Sequence, residues 1–568
     1  MKKRLNISNP LIRLAVSLVV IILSAWLLSS FFYRIDLTSE KRYTLSKFSK
    51  KSLRDLKDIV HIKVYLDGDL NIPFRKMQQS LKETLDEFRV YAGDNLEYEF
   101  INPFAGKDVK LKEDMVNELY KKGLKPTNIL DTDKEGGTSE KLVFPGALVH
   151  FRGTEVPVNL LRNKQGTPAE ENINNSIQAF EFELIRVISS LSADSTDKIA
   201  FIEGHGEFDE YQVGDITREL GWYFQVDRGS ISGKPGVLDQ YKAVVIAGPA
   251  LPFDEKDKFV LDQYIMHGGK VLWFIDMVNA SLDSISEGRP MVALIRTLNI
   301  EDLLFRYGVR INPVLIQDVQ CDKIPVNVAL AGNAPNFLPT PWLYSPLLAS
   351  PYSHPVTRNL NMIRTEFTGY IDTLAARKDI RKTVLLQSSD FSRQVTAPVM
   401  ISLEEVRLVP RESQFTDRHL PIAVLLEGSF ESAFRNRMIS SLFPDTAVKF
   451  RDTGSPANML VVADADIIRN DVRPTPQGVY IAPLGFDRYT QQTFGNREFI
   501  VNAIQYMTGH GDLISLRSRE LTLRLLDKAK IKNDLARWKL INTMGPPLII
   551  ILAGILYAWI RKRRFGKN

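Results

Sequence analysis

A chain of 568 residues, 44% hydrophobic and 25% charged, has an ordinary globular composition and room for roughly three or four domains, which excludes both a lone small module and a disordered chain. The isoelectric point near 9.0 does not mark a nucleic-acid surface: nine of the 73 basic residues lie in residues 1–13 and 561–568, which hold no acid, and the remainder carries 64 basic against 67 acidic residues. The single cysteine, Cys321, excludes an intrachain disulfide and any multi-cysteine metal site.

Residues 1–13 form a cationic tail with Lys2, Lys3, Arg4 and Arg13, and residues 14–33, Leu14 to Tyr33, run without a charge. Twenty such residues make a helix of about 30 Å, one hydrocarbon thickness. The competing reading is a cleaved signal peptide, but the run is longer than a usual apolar signal core and no small-x-small cleavage site follows. A second charge-free run, residues 541–560, carries Gly545, Pro546 and Pro547 near its start, where a helix tolerates proline, and a buried core helix is its alternative reading. It is followed by the cationic tail 561–568. Two spans put both termini on one side, and the basic tails predict the cytoplasmic side of a cell inner membrane, with the soluble region facing the periplasm. Seven basic residues in 34–54 weaken that inference, although long translocated domains largely escape the charge rule.

Residues 34–194 read as a first α/β domain. A polar stalk leads into a helical pattern from Ser46 to Leu56. Val60 to Leu66 alternates as a half-buried strand does, and Met77, Leu81, Leu85 and Phe88 recur at helical spacing. Leu96 to Ile101 predicts another strand, residues 131–140 a polar loop, 143–161 a hairpin, and 172–191 a closing helix.

Residues 195–512 read as a second, larger α/β domain. Lys198 to Ile202, Ala243 to Ala247 and Lys270 to Ile275 predict strands that alternate with helices near 210–221 and 254–266, the pattern of a parallel sheet with helices on its faces. Residues 313–357, with Pro335, Pro339, Pro341, Pro346, Pro351 and Pro355, predict an irregular excursion. Strands resume at Thr383 to Leu386, Ile422 to Leu426 and Met459 to Val462, before a helix near 497–508. Residues 513–540 predict a basic juxtamembrane amphipathic helix, packed either on the soluble region or on lipid headgroups or a permease subunit.

The candidate site is Glu203, His205 and Glu207, directly after the strand 198–202, where parallel sheets bind ligands. Two carboxylates and an imidazole suit ligand or metal binding, or acid–base chemistry. The plainer reading is a tight turn allowed by Gly204 and Gly206, with no second cluster to complete a metal site. Asp464 and Asp466 follow another strand and read as loop caps. His267-Gly-Gly-Lys270 precedes a strand, so it is not a phosphate-cradling loop. Cys321 lacks a nucleophile's context. No catalytic residue, metal or cofactor is expected.

The segments Arg34-Ile-Asp-Leu-Thr-Ser-Glu-Lys-Arg-Tyr-Thr-Leu-Ser46, Val64-Tyr-Leu-Asp-Gly-Asp69, Ile199-Ala-Phe-Ile-Glu-Gly-His-Gly-Glu207, Phe494-Gly-Asn-Arg-Glu-Phe499, Leu516-Arg-Ser-Arg-Glu-Leu521 and Leu525-Leu-Asp-Lys528 resemble the GldG-type auxiliary components of gliding-motility-associated ABC transporters over nearly the whole chain. The resemblance implies a non-catalytic, substrate-binding-like accessory subunit working with an ABC permease and an ATPase, and binding a ligand or envelope protein outside the membrane. It also implies a glutamine-amidotransferase-like sheet without that chemistry's cysteine. The alternatives are a scaffold linking the inner membrane to motility machinery and a membrane-tethered enzyme using Glu203, His205 and Glu207.

Overall fold

The computed structural model describes residues 44–106, 109–132, 138–161, 168–192, 197–286, 289–327, 336–358, 360–374, 379–407, 411–438, 450–476, 478–490, 492–509 and 535–565, together with Leu14 and Ser17–Val19. One unit is Thr44–Arg519; the other comprises Met1–Tyr43 and Glu520–Asn568.

In the first unit, helix α1 (Lys47–Arg54) is capped by Ser46, whose side chain accepts from the Ser49 N–H. Strand β1 (Val60–Val64) buries Val60, Ile62 and Val64 and leaves His61 and Lys63 half-buried, as strand alternation requires. Helix α2 (Ile72–Ala92) starts at the Asn71 cap and buries the stripe Met77, Leu81, Leu85 and Phe88. After β2 (Leu96–Phe100) come α3 (Val109–Lys121), the hairpin β3 (Thr127–Thr132) and β4 (Thr138–Val143), the hairpin β5 (Gly146–Phe151) and β6 (Thr154–Asn159), and α4 (Ala169–Ser192). The sheet order is β2-β1-β5-β6, with β1 and β2 parallel. The expected polar loop 131–140 instead includes the paired ends of β3 and β4, register Thr132 to Thr138. Its polarity reflects strands outside that four-stranded sheet, and its middle lies outside the described residues.

The larger sheet is built from β7 (Lys198–Glu203), β8 (Gln225–Ser230), β9 (Ala243–Ala247), β10 (Val271–Phe274), β11 (Ile380–Gln387), β12 (Pro421–Glu431) and β13 (Thr453–Val462), in the order β11-β12-β13-β10-β9-β7-β8. Helices α5 (Gly214–Leu220), α6 (Glu255–Met266), α7 (Glu301–Tyr307) and α8 (Asn496–Met507) accompany it. The five strands from β13 to β8 run parallel, while β12 and β11 run antiparallel. The sheet is thus mixed, not wholly parallel as the strand–helix alternation implies. Both faces are covered: Val271, Trp273 and Ile275 enter one core, and Leu272 and Phe274 the other. Burial on both faces is why these strands read as unbroken apolar runs.

The proline-rich stretch 313–357 is irregular only toward its end; most of its described residues are strand. It holds strands Val314–Asp318, Cys321–Asn327 and Phe337–Leu348, the last two antiparallel with Pro325 opposite Pro339 and Lys323 opposite Pro341. Proline withholds a ladder donor and is confined to edges and irregular positions, so the pairing hides from composition. Alternation survives where it matters: Trp342 and Tyr344 are buried in a small core with Leu315, Ile324 and Phe367.

In the second unit, helix α9 (Leu535–Phe565) contains a stretch, Arg537–Arg564, long and apolar enough to cross a membrane, with none of it buried. Pro546 and Pro547 lie inside this helix and not in its first turn, because it begins six residues before the charge-free run. The expected amino-terminal span 14–33 lies outside the described residues apart from Leu14 and Ser17–Val19, which are helical. Of the expected juxtamembrane helix 513–540, residues 535–540 belong to α9 and the rest lie outside the described residues.

Candidate functional site

Strand order β8-β7-β9-β10 reverses direction between β7 and β9, and ligands of doubly wound sheets bind at the carboxyl ends beside such a reversal. Here the chain itself occupies the place. The His205 carbonyl accepts from the Ala250 and Leu251 N–H groups at 2.9 and 2.8 Å, and the Phe208 N–H donates to the Ala247 carbonyl at 2.9 Å. Gly248 has φ +66°, and a Cβ there would lie 2.6 Å from the Phe208 ring, so only glycine lets the two loops close.

Within this turn the sequence-derived site splits. His205 stacks on Phe253 with ring centroids 3.7 Å apart. Its Nδ1 lies 3.1 Å from Glu207 Oε1, and its Nε2 lies 3.1 Å from Asp257 Oδ2. Glu207 also accepts from the His205 N–H at 2.7 Å, and Asp257 Oδ1 from the Gly233 N–H. The side chains of His205 and Glu207 are 6% and 1% exposed. Burial alone would lower the imidazole's pKa, but the Glu207 and Asp257 carboxylates outweigh it and hold the ring above its ordinary value. Glu203 does not join them. Its Oε1 accepts from Arg228 Nε at 2.7 Å, and Arg228 also donates to the Phe208 carbonyl. The motif therefore divides into a clasp, Glu207–His205–Asp257, and a separate ion pair, Glu203–Arg228.

Sequence reasoning missed Asp257, Phe253 and Arg228. Asp257 lies 52 positions from His205; its one local sign was the run Asp254-Glu-Lys-Asp257, where Asp254 caps α6 by accepting from the Asp257 N–H at 2.7 Å.

A second polar cluster lies farther along the same edge, after β10 and β13. Asp276 accepts from the Ala465 N–H at 2.7 Å. Asp464 accepts from the Glu366 and Ile467 N–H groups at 2.9 and 3.1 Å, the capping role its position suggests. Asp466 pairs with Arg469 at 3.2 Å. Burial first, and then the Asp466 charge, push Asp276 and Glu366 each up to about 7. Asp464 is raised well above the carboxylate range, by burial and then by Asp466 and Asp276. Asp276 ends Phe274-Ile-Asp276 as Asp464 follows Val462, so the strand-end rule that singled out Asp464 reaches it too; Glu366, from a distant strand edge, had no such signal. Among the described residues no group of three or more His, Cys, Asp or Glu is disposed to hold a metal. Cys321 lies on a strand at the small core, and burial, with Asp318 and Asp322 beside it, pushes its thiol up to about 12. His267-Gly-Gly-Lys270 joins α6 to β10, with Gly269 admitting the Tyr264 ring, 2.4 Å from where a Cβ would stand.

A doubly wound sheet bearing a filled switch point, together with an unburied apolar helix at the carboxyl end, defines an α/β protein associated with a membrane. The chain belongs to the ABC-transporter auxiliary family, described as an ABC-type uncharacterized transport system, whose model matches residues 196–503. It is accordingly an accessory component of an ABC transport system, associated with that system's components. Residues 39–150 match a domain of unknown function, DUF7088. No curated protein matches the chain. Solved structures similar to it include the mmIFT52 N-terminal domain, at 12% identity over 55% of this chain and 97% of that one, TM-score 0.31. A thua-like protein from Parabacteroides merdae ATCC 43184 is similar at 11% identity over 56% and 91%, TM-score 0.27. Likenesses at these scores bear on neither fold nor function.

Proposed function

We propose that this chain is a non-catalytic accessory subunit of a cell-envelope ABC transporter of the GldG gliding-motility type, anchored in the inner membrane at both ends, with its α/β body on the periplasmic side engaging a partner protein or ligand. The observation that supports it most is the filled switch point: where a doubly wound enzyme would open its crevice, His205, Phe208, Ala250 and Leu251 bond to one another or to the strand ends. Family membership and helix α9 supply the transporter and membrane parts of the reading. Residues 561–564, all Lys or Arg at the end of α9, favour a cytoplasmic carboxyl terminus.

Purification of the tagged full-length chain from its native host in mild detergent, with stoichiometric companions identified by mass spectrometry, tests this reading. Co-recovery of an ABC permease and an ATPase is the expected result. Their absence under conditions that keep other membrane complexes whole would sink it.

A further inference from the structure

The parallel pair β1–β2 ends in a crevice of its own. A cavity of about 720 Å³ opens there between the turns after β1 and β2, helix α3 and strand β4. Carboxyl ends of parallel strands are where α/β sheets receive ligands, and small-molecule pockets run from about 300 to 1,000 Å³. The floor is apolar, made by Phe104, Val116, Leu142 and Val143, and merges with a buried cluster containing Leu119, Phe144 and Leu148.

The rim is polar, and its groups are not equally engaged. Gly68, at φ +111°, brings the Asp67–Asp69 turn onto Asn102; a Cβ there would lie 2.9 Å from Asn102 Nδ2. Asp69 is bound to Lys141 at 2.5 Å. Asp67 spends Oδ1 on Gln78, 2.7 Å away. Helix α3 contributes Lys112, Glu113, Val116 and Asn117, positions that share one face by i, i+4 spacing. Among the described residues, the side chains of Lys112, Glu113 and Asn117 make no hydrogen bond or ion pair.

We propose that this cavity binds the free amino terminus of a short apolar peptide. Among the described residues of the rim, the second oxygen of Asp67 and the Glu113 carboxylate outnumber the unengaged cation Lys112, so the rim favours an ammonium. Asn102 and Asn117 offer the amide donors and acceptors that a following peptide unit needs. The apolar floor takes the first side chains, and Lys112 the carboxylate of a peptide short enough to reach it. This inference does not depend on the transporter reading.

The test is calorimetric titration of the full-length protein in detergent with the tripeptide Leu-Leu-Val, and with the same peptide acetylated at its amino end. The free peptide should bind at least about tenfold tighter than the acetylated one, the worth of a charge-assisted hydrogen bond. Val116→Trp, which fills the cavity, should remove binding of both. Glu113→Gln, at an exposed helix position whose change leaves folding intact, should weaken the free peptide about tenfold and erase the preference over the acetylated form. Equal binding of the two peptides, no binding of either, or a preference unchanged by Glu113→Gln would overturn the proposal.

Discussion

The two polar clusters on the carboxyl edge of the large sheet occupy the same kind of position and follow opposite charge logic. Around His205, one imidazole lies between two carboxylates, each 3.1 Å away. Around Asp464, four carboxyl groups crowd together, and Arg469 pairs with one of them, Asp466. In the first cluster ionisation strengthens the fold; in the second it costs. Strand-end carboxylates in an α/β sheet are thus not a single kind of feature: the partners brought by other elements decide whether they form a clasp or store repulsion.

The largest effect that would break this comparison is His205→Ala. It leaves Glu207 and Asp257 buried without their shared partner, so the domain should lose about 3 kcal/mol in denaturant unfolding of the full chain in detergent. Ligand-site residues on an open rim would cost far less. This result would also separate the clasp from an enzyme reading, in which His205 could be removed without harm to folding.

Next comes pH. A histidine raised above its ordinary 6.5 lends stability that is complete below 6.5 and disappears as pH climbs through its folded value. Asp276 and Glu366, raised from 3.8 and 4.5 to about 7, also favour the protonated fold; their contribution is complete below 3.8 and is lost as pH rises toward 7. The sign is shared and the windows are adjacent. Asp276→Asn keeps an oxygen for the Ala465 N–H but cannot ionise. It should stabilise the protein by about 1–2 kcal/mol at pH 8 and leave it near wild type at pH 4, read from unfolding midpoints. Equal effects at both pH values would mean that the carboxyl group is solvated.

The smallest effects sharpen the clasp itself. Asp254→Ala removes the α6 cap and should cost about 1 kcal/mol in denaturant unfolding at neutral pH. Phe253→Leu removes the ring stacked on His205 and should cost about 0.5–1.5 kcal/mol beyond the lost area, again by denaturant unfolding.

Much of the fold was legible because burial on a sheet or helix leaves a period. Met77, Leu81, Leu85 and Phe88 mark α2, and the apolar runs 243–247 and 271–274 mark strands covered on both faces. The paired strands of 321–348 were hidden because prolines interrupt the pattern and composition does not record which donors a ladder leaves unused. The candidate site was legible only as a location. Glu203, His205 and Glu207 sit where the strand ends, yet Arg228 takes the first and Asp257 holds the second.

By itself the sequence determined what local physics can specify: the apolar run 541–560 within α9, the strand–helix alternation of the sheet, the absence of a phosphate loop at His267–Lys270, and the strand-end positions of His205 and Asp464. Tertiary structure alone decided that β11 and β12 run against their neighbours, that the switch point is filled, and that the third member of the clasp comes from α6. The reason is distance along the chain. Period and turn chemistry act over a few residues, whereas an ion pair across 52 positions depends on how two elements pack, which no local pattern encodes.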